Sequence, residues 1–189
     1  MLNYEEIYVI VKNELSEKRF YHSECVVERC IEFAQKYNVD IEKMKIAAIL
    51  HDIAKEISNE NQIKMAEEYG LKLDEIEKKH IPLIHAKLGA EIAKKDFACS
   101  EDICEAIKWH TTGKENMSIM EKILFMADAT GKDRSFDNTE YLYKLAKDDL
   151  DNAIIELLKK SIPDMMNKNI IIHPDSIKTF NYMISKKIK

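Results

Sequence analysis

The chain has 189 residues, 46% of them hydrophobic and 33% charged, with a formal net charge of -5. That length supports one domain with a substantial core, and the composition excludes a disordered chain. The acidic balance argues against a nucleic-acid duplex as partner, and the scarcity of turn residues (4 Gly, 3 Pro) argues against a β architecture.

Helical signals dominate from the start. Residues 3–15 form an amphipathic segment whose charges break any signal-peptide pattern. No run approaches the roughly 18 apolar residues of a membrane span. Residues 22–37 place Val26, Cys30, Ile31, Phe33, Ala34 and Tyr37 at helical spacing. Asp40 is placed to cap a helix over 41–55. Asn59 with Gln62 resembles a capping box, and Gly70 can close that helix. The polar stretch "KLDEIEKKHIPL" separates it from a helix over 85–95.

Ser100, Glu101 and Asp102 mark the start of a helix over 101–111, and "SIMEKILFMADA" gives another over 118–129. "TGKDRSFDNTE" is the longest loop candidate. A helical region follows over 139–167, with Pro163 expected to kink or break it, and "HPDSIKTFNYMISKK" gives the last helix. The expectation is a single all-α domain over 1–189: a helical bundle with a core over about 18–130 and C-terminal helices over about 139–186.

The four cysteines, Cys25, Cys30, Cys99 and Cys104, form no C-x-x-C pair. They read as reduced thiols used for packing in a cytoplasmic protein. Phe20, Trp109 and Met117, Met120 and Met126 read as core.

The segment "IAAILHDIAK" carries the chemistry. An apolar run ends in His51-Asp52, and Lys55 follows His51 by four residues. An imidazole, a carboxylate and an ammonium are costly to bury unless each finds a partner. Four of the six histidines, His22, His51, His85 and His110, fall at the start or end of an expected helix, and Asp128 closes the apolar helix 118–129. Four imidazoles and two carboxylates suit a pair of divalent metals such as iron, manganese, cobalt or zinc. Asp52, with two oxygens, can bridge. His22, His51 and Asp128 would complete one site, with His85 and His110 on the other. Two such ions provide a hydroxide at neutral pH and clamp a phosphoryl group during in-line displacement. His80 and His173 read as ordinary structural residues.

The ordered pattern resembles the HD-domain metal-dependent phosphohydrolases, and within them the YqeK-type branch of bacterial symmetrical bis(5′-nucleosyl)-tetraphosphatases. The matching pieces are "RFYHSECV" at 19–26, "AAILHDIAK" at 47–55, "HAKLGAEIA" at 85–93, "AIKWHTTG" at 106–113, "EKILFMADA" at 121–129, Arg134 and "PDSIKTFNYM". The resemblance implies an all-helical fold, a di-iron or similar centre, and hydrolysis of diadenosine tetraphosphate to two ADP. It transfers the metal-ligand role to His22, His51, Asp52, His85, His110 and Asp128. The branch usually has Glu-Pro-x-Arg after the aspartate; here the chain reads Thr130-Gly131-Lys132-Asp133-Arg134.

Lys55 would act with Asp52 in catalysis by holding a phosphate oxygen. Arg19 and Arg134 would pair with phosphate. Thr111, Thr112 and Gly113 either bind phosphate or simply end a helix. Two other readings stay open: an HD hydrolase acting on a nucleoside monophosphate or guanosine alarmone, and a nucleotide-sensing module without catalysis. The sequence points to neither a membrane nor a nucleic-acid partner, and leaves the oligomeric state open, a homodimer included.

Overall fold

The computed structural model describes residues 2–135 and 137–188. Among them are eleven α-helices, one 3-10 turn and no strand. Helix α1 (Tyr4–Glu14) opens with a capping box between Asn3 and Glu6. Helix α2 (Glu17–Tyr37) is capped by Ser16 and closed by Asn38 in the left-handed region, at φ 54°. It therefore begins five residues before the expected 22, and His22 lies in its second turn rather than at its end.

Helix α3 (Ile41–Leu50) is capped by Asp40, as expected, but stops before His51. From there the backbone tightens into three-residue turns, with Ile53 N–H donating to Leu50 O and Lys55 N–H to Asp52 O. The expected helix over 41–55 is thus a helix followed by a coiled-up turn segment. Helix α4 (Asn59–Glu68) is capped by Ser58 rather than Asn59. The polar stretch after it folds into a short helix, α5 (Glu75–Lys79), and a 3-10 turn at Ile81–Leu83.

Helices α6 (Ile84–Lys95), α7 (Glu101–Trp109) and α8 (Ile119–Ala129) follow the sequence expectation closely. The region 139–167 splits into α9 (Thr139–Asp148) and α10 (Leu150–Asn167). The break falls at Asp149, whose carboxylate caps α10 by accepting from Asn152 N–H at 2.9 Å. Pro163 stays inside α10, on an exposed face where water can satisfy the carbonyl it leaves unpaired. Helix α11 (Pro174–Ser185) ends the fold. Phe136, within the long loop, lies outside the described residues.

The C-terminal half of helix α3 is apolar because it is buried on every side: Ile46, Ala47, Ala48, Ile49 and Leu50 are all in the core, as is Met44, while Glu42, Lys43 and Lys45 of its first half reach the surface. It packs against α1, α2, α7 and α8. Helices α6 and α7 pair with each other, and α9, α10 and α11 pack outward from α8. Phe33, Leu88, Ile103, Ile107, Leu124 and Met126 fill the centre. Phe20 and Met117, Met120 and Met126 are core residues; Trp109 is half-buried, its indole N–H donating to Glu105 at 2.9 Å. All four cysteines are buried and free. No helix among the described residues is long and apolar enough to cross a membrane.

Candidate metal centre

The packing of α2, α3, α6, α7 and α8 brings the six marked residues into one cluster. His51 caps the C-terminus of α3 and Asp52 follows in the turn. His85 is in the first turn of α6, and His110 caps the C-terminus of α7. Adjacent ring centroids are 5.3 Å apart for His22–His51, 5.0 Å for His51–His110 and 5.1 Å for His85–His110. The four imidazoles and Asp52 are buried; Asp128, near the end of α8, is partly exposed.

Local geometry fixes the tautomers of three rings. Nδ1 of His51 meets Ala48 O at 2.7 Å, Nδ1 of His85 meets Pro82 O at 2.6 Å, and Nδ1 of His110 meets Ile107 O at 2.6 Å. Each partner is the carbonyl three residues back. A carbonyl only accepts, so Nδ1 carries the proton and Nε2 of the neutral ring presents a bare lone pair. In His22, Nδ1 meets Asp133 Oδ2 at 2.8 Å instead.

The bare Nε2 atoms converge on carboxylate oxygens. Asp52 Oδ1 lies 3.1 Å from His85 Nε2 and 3.6 Å from His110 Nε2. Asp52 Oδ2 lies 3.5 Å from His51 Nε2 and 3.9 Å from His22 Nε2. His22 Nε2 is 3.1 Å from Asp128 Oδ1, and His85 Nε2 is 3.2 Å from His110 Nε2. Nε2 of His51 is buried without a hydrogen-bond partner. Acceptors facing acceptors repel unless a cation lies among them, and an orphaned buried imidazole nitrogen is a metal-ligand signature. His22–His51–Asp128 and His51–Asp52–His110 each gather their donor atoms closely enough to hold one ion. The donors fit divalent metals.

Electrostatics agree with neutral rings and charged acids. Burial pushes His51 down to about 4 and lowers His85 as well. Burial works to raise Asp52, yet the carboxyl stands well below its usual range, and the Arg19 guanidinium donates to its Oδ2 at 2.8 Å. Desolvation likewise works to raise Asp128, but the charge of Arg134, bonded to its carboxylate, counters it and the carboxyl is lowered.

Three cations point into the cluster. Arg19 Nη1 donates to Asp52 Oδ2 at 2.8 Å. Arg134 binds the Asp128 carboxylate and its backbone oxygen, and its Nη2 is 3.3 Å from His22 Nε2. Lys55 Nζ lies 3.2 Å from His85 Nε2. Burial lowers the Lys55 pKa, against the opposing pull of Asp52 and Asp128. Thr111 Oγ1 reaches to 3.4 Å from His110 Nε2. The structure does not bring Thr112 or Gly113 to the donors: Thr112 Oγ1 donates to Gly113 O, and Gly113, at φ +66°, closes the turn after α7 against Thr179 of α11.

Sequence reasoning missed Asp133 and the three carbonyls that set the tautomers. The carbonyls leave no mark in a residue list, whereas Asp133 stands next to the singled-out Arg134. A further acidic group, Asp74, Glu77 and His173, is internally satisfied: Lys87 pairs with Glu77 at 2.6 Å and His173 with Asp74 at 3.0 Å. It ties α5 to α11, in keeping with a structural reading of His173.

The HD domain family model matches residues 19–133, a span that contains all six clustered donors. The chain is 33% identical to a Bacillus subtilis (strain 168) protein named symmetrical bis(5′-nucleosyl)-tetraphosphatase, over 97% of this chain and 99% of that one. A Halalkalibacterium halodurans protein of the same name is 36% identical over 93% of this chain and 94% of its own. A Clostridium acetobutylicum crystal structure, described as a predicted HD superfamily hydrolase involved in NAD metabolism, superposes with a TM-score of 0.95 at 35% identity, covering 98% of this chain and 99% of the other. With the donor cluster inside the matched span and the fold shared along nearly the whole chain, this protein belongs to the HD domain family.

Proposed function

We propose that this chain is a symmetrical bis(5′-nucleosyl)-tetraphosphatase that hydrolyses diadenosine tetraphosphate to two ADP. In this reading His22, His51, Asp52, His85, His110 and Asp128 hold two divalent metal ions. The observation that carries it is the division of acceptors around Asp52, with His85 and His110 facing Oδ1 and His51 and His22 facing Oδ2. The names of the two relatives, matched over nearly the whole chain, support the substrate. Imidazole and carboxylate donors without thiolate suit iron, with manganese, cobalt and zinc compatible.

Bound ions would supply Lewis-acid stabilisation of phosphoryl oxygens and a nucleophile active at neutral pH. The chain's residues do the rest. Asp52 holds the two halves of the centre in register, and the carbonyl-anchored histidines keep their lone pairs aimed inward. Lys55, Arg19 and Arg134 bring positive charge to a tetraphosphate that carries several negative charges. The Thr111 hydroxyl, 3.4 Å from His110 Nε2, would donate to a phosphate oxygen. One water is consumed: its oxygen bonds to a phosphorus beside the central bridging oxygen, that P–O bond breaks, and ADP leaves as the second ADP is formed. Lys55 and Arg134 offset the charge growing on the departing oxygen.

The test is chromatographic identification of products from a panel of dinucleoside polyphosphates with several metals. ADP alone from diadenosine tetraphosphate supports the reading. ATP plus AMP would mean asymmetric cleavage, and release of inorganic phosphate from a mononucleotide would favour another nucleotide as substrate; either result overturns it.

A further inference from the structure

We propose that Asp133 is a positioning residue for His22, and that residue 131 is glycine because the Asp133 carboxylate occupies the space a side chain there would fill. The inference rests on the metal centre proposed above and concerns how this chain builds it.

His22 is the one cluster histidine whose Nδ1 does not meet the carbonyl three residues back. It sits inside α2, where that carbonyl belongs to the helix ladder, whereas His51 and His110 cap helix ends and His85 follows a 3-10 turn. Another acceptor must set its tautomer. Asp133 Oδ2 does so at 2.8 Å, across 111 residues of sequence. A carboxylate on the remote ring nitrogen fixes the ring and raises the basicity of the other nitrogen more than a neutral carbonyl would. That other nitrogen, Nε2, faces Asp128 Oδ1 at 3.1 Å.

The second Asp133 oxygen is costly. Oδ1 is buried and has no hydrogen-bond partner. An unpartnered buried carboxylate oxygen lowers stability, so Asp133 is not explained as a stabilising residue. Its placement depends on Gly131: a Cβ there would lie 2.6 Å from Asp133 Oδ1, closer than real contacts allow. Gly131 is not among the left-handed glycines, so its backbone alone does not demand glycine. The Asp133 carboxylate is folded back over Gly131.

The experiment is calorimetric titration of metal-stripped protein with Mn²⁺ alone, for wild type, Asp133→Ala, Gly131→Ala, His22→Ala and the Asp133→Ala/His22→Ala double variant. Thermal unfolding without metal accompanies each. Asp133→Ala should weaken one Mn²⁺ site by about 10–100-fold, leave the other unchanged, and unfold close to wild type. Gly131→Ala keeps the charge and should weaken the same site by displacing the carboxylate, so the test survives if Asp133→Ala folds poorly. In the His22→Ala background, Asp133→Ala should add no further loss, because both act through one ring. Wild-type Mn²⁺ affinity in Asp133→Ala, or an equal loss with and without His22, overturns the positioning role and leaves the metal centre standing. Wild-type affinity in His22→Ala overturns the metal centre and this inference with it.

Discussion

Asp52 Oδ1 and His85 Nε2 lie 3.1 Å apart, and neither atom carries a proton to share. The His85 proton is on Nδ1, facing Pro82 O at 2.6 Å, and Asp52 is held ionised. Two acceptors at hydrogen-bond distance are stable only with positive charge nearby. Lys55 Nζ, at 3.2 Å from the same Nε2, supplies part of it.

Lys55 sits on a turn beside the donors rather than on a continuation of α3, so it reaches the cluster from the side. In the proposed reaction its charge would matter most when charge builds on the leaving oxygen. Lys55→Ala should lower kcat by about 10²–10³ and raise KM much less, the mark of a transition-state donor. Steady-state kinetics with diadenosine tetraphosphate checks this. A change in KM alone would make the lysine a binding group only.

His110 faces Oδ1 of Asp52 together with His85. His110→Ala should leave one ion bound and remove most of the turnover. Elemental analysis of the purified variant, beside its kcat, tests the assignment; retention of both ions at wild-type affinity would refute it.

Gly113→Ala addresses the "TTG" stretch. A Cβ there would meet Thr179 Cγ2 and Oγ1 at 2.8 Å, on a backbone at φ +66°. Strain and overpacking together should cost about 1–3 kcal/mol. That corresponds to a fall of roughly 2–10 °C in Tm for a chain of this size, measurable by calorimetry. An unchanged Tm would show that α11 yields freely.

Glu105 joins the end of α7 to the loop after it. Burial works to raise its pKa, but Lys114, Lys108 and the Trp109 indole, all at 2.9 Å, outweigh it and pull it down to about 2. The unfolded chain then binds the proton more readily. The stabilisation is complete above the ordinary value of 4.5 and is lost as pH falls toward 2. Glu105→Gln should be less stable than wild type at pH 7, by up to about 1 kcal/mol after solvent screening, and the gap should close near pH 2–3. Urea unfolding across this range checks both parts; a gap independent of pH would contradict the ion-pair account.

The helices were legible because their apolar spacing and caps are local. Asp40, accepting from Lys43 N–H, caps α3 as the sequence suggests, and Ser118 with Glu121 forms a capping box at the start of α8. The end of α3 was not, because nothing between Leu50 and Lys55 is a helix breaker; the turn segment arises where His51 and Asp52 face the other donors. Pro163 misled because its exposed position tolerates the missing N–H, while the capping aspartate at 149 set the true break. The donors were legible as polar residues at the ends of expected helices; for His22 that placement was wrong, because α2 begins at Glu17 and His22 sits inside it. Asp133 needed the three-dimensional return of the loop onto α2.

The most direct measurement is the metal content of purified wild-type protein and of Asp52→Ala, taken with their turnover of diadenosine tetraphosphate. Asp52 presents its two oxygens to different pairs of histidines, Oδ1 to His85 and His110 and Oδ2 to His51 and His22. The account predicts two divalent ions per wild-type chain, and loss of both metal and activity together in Asp52→Ala, with turnover down by a factor on the order of 10³ or more. An Asp52→Ala protein that is metal-free and fully active would contradict it.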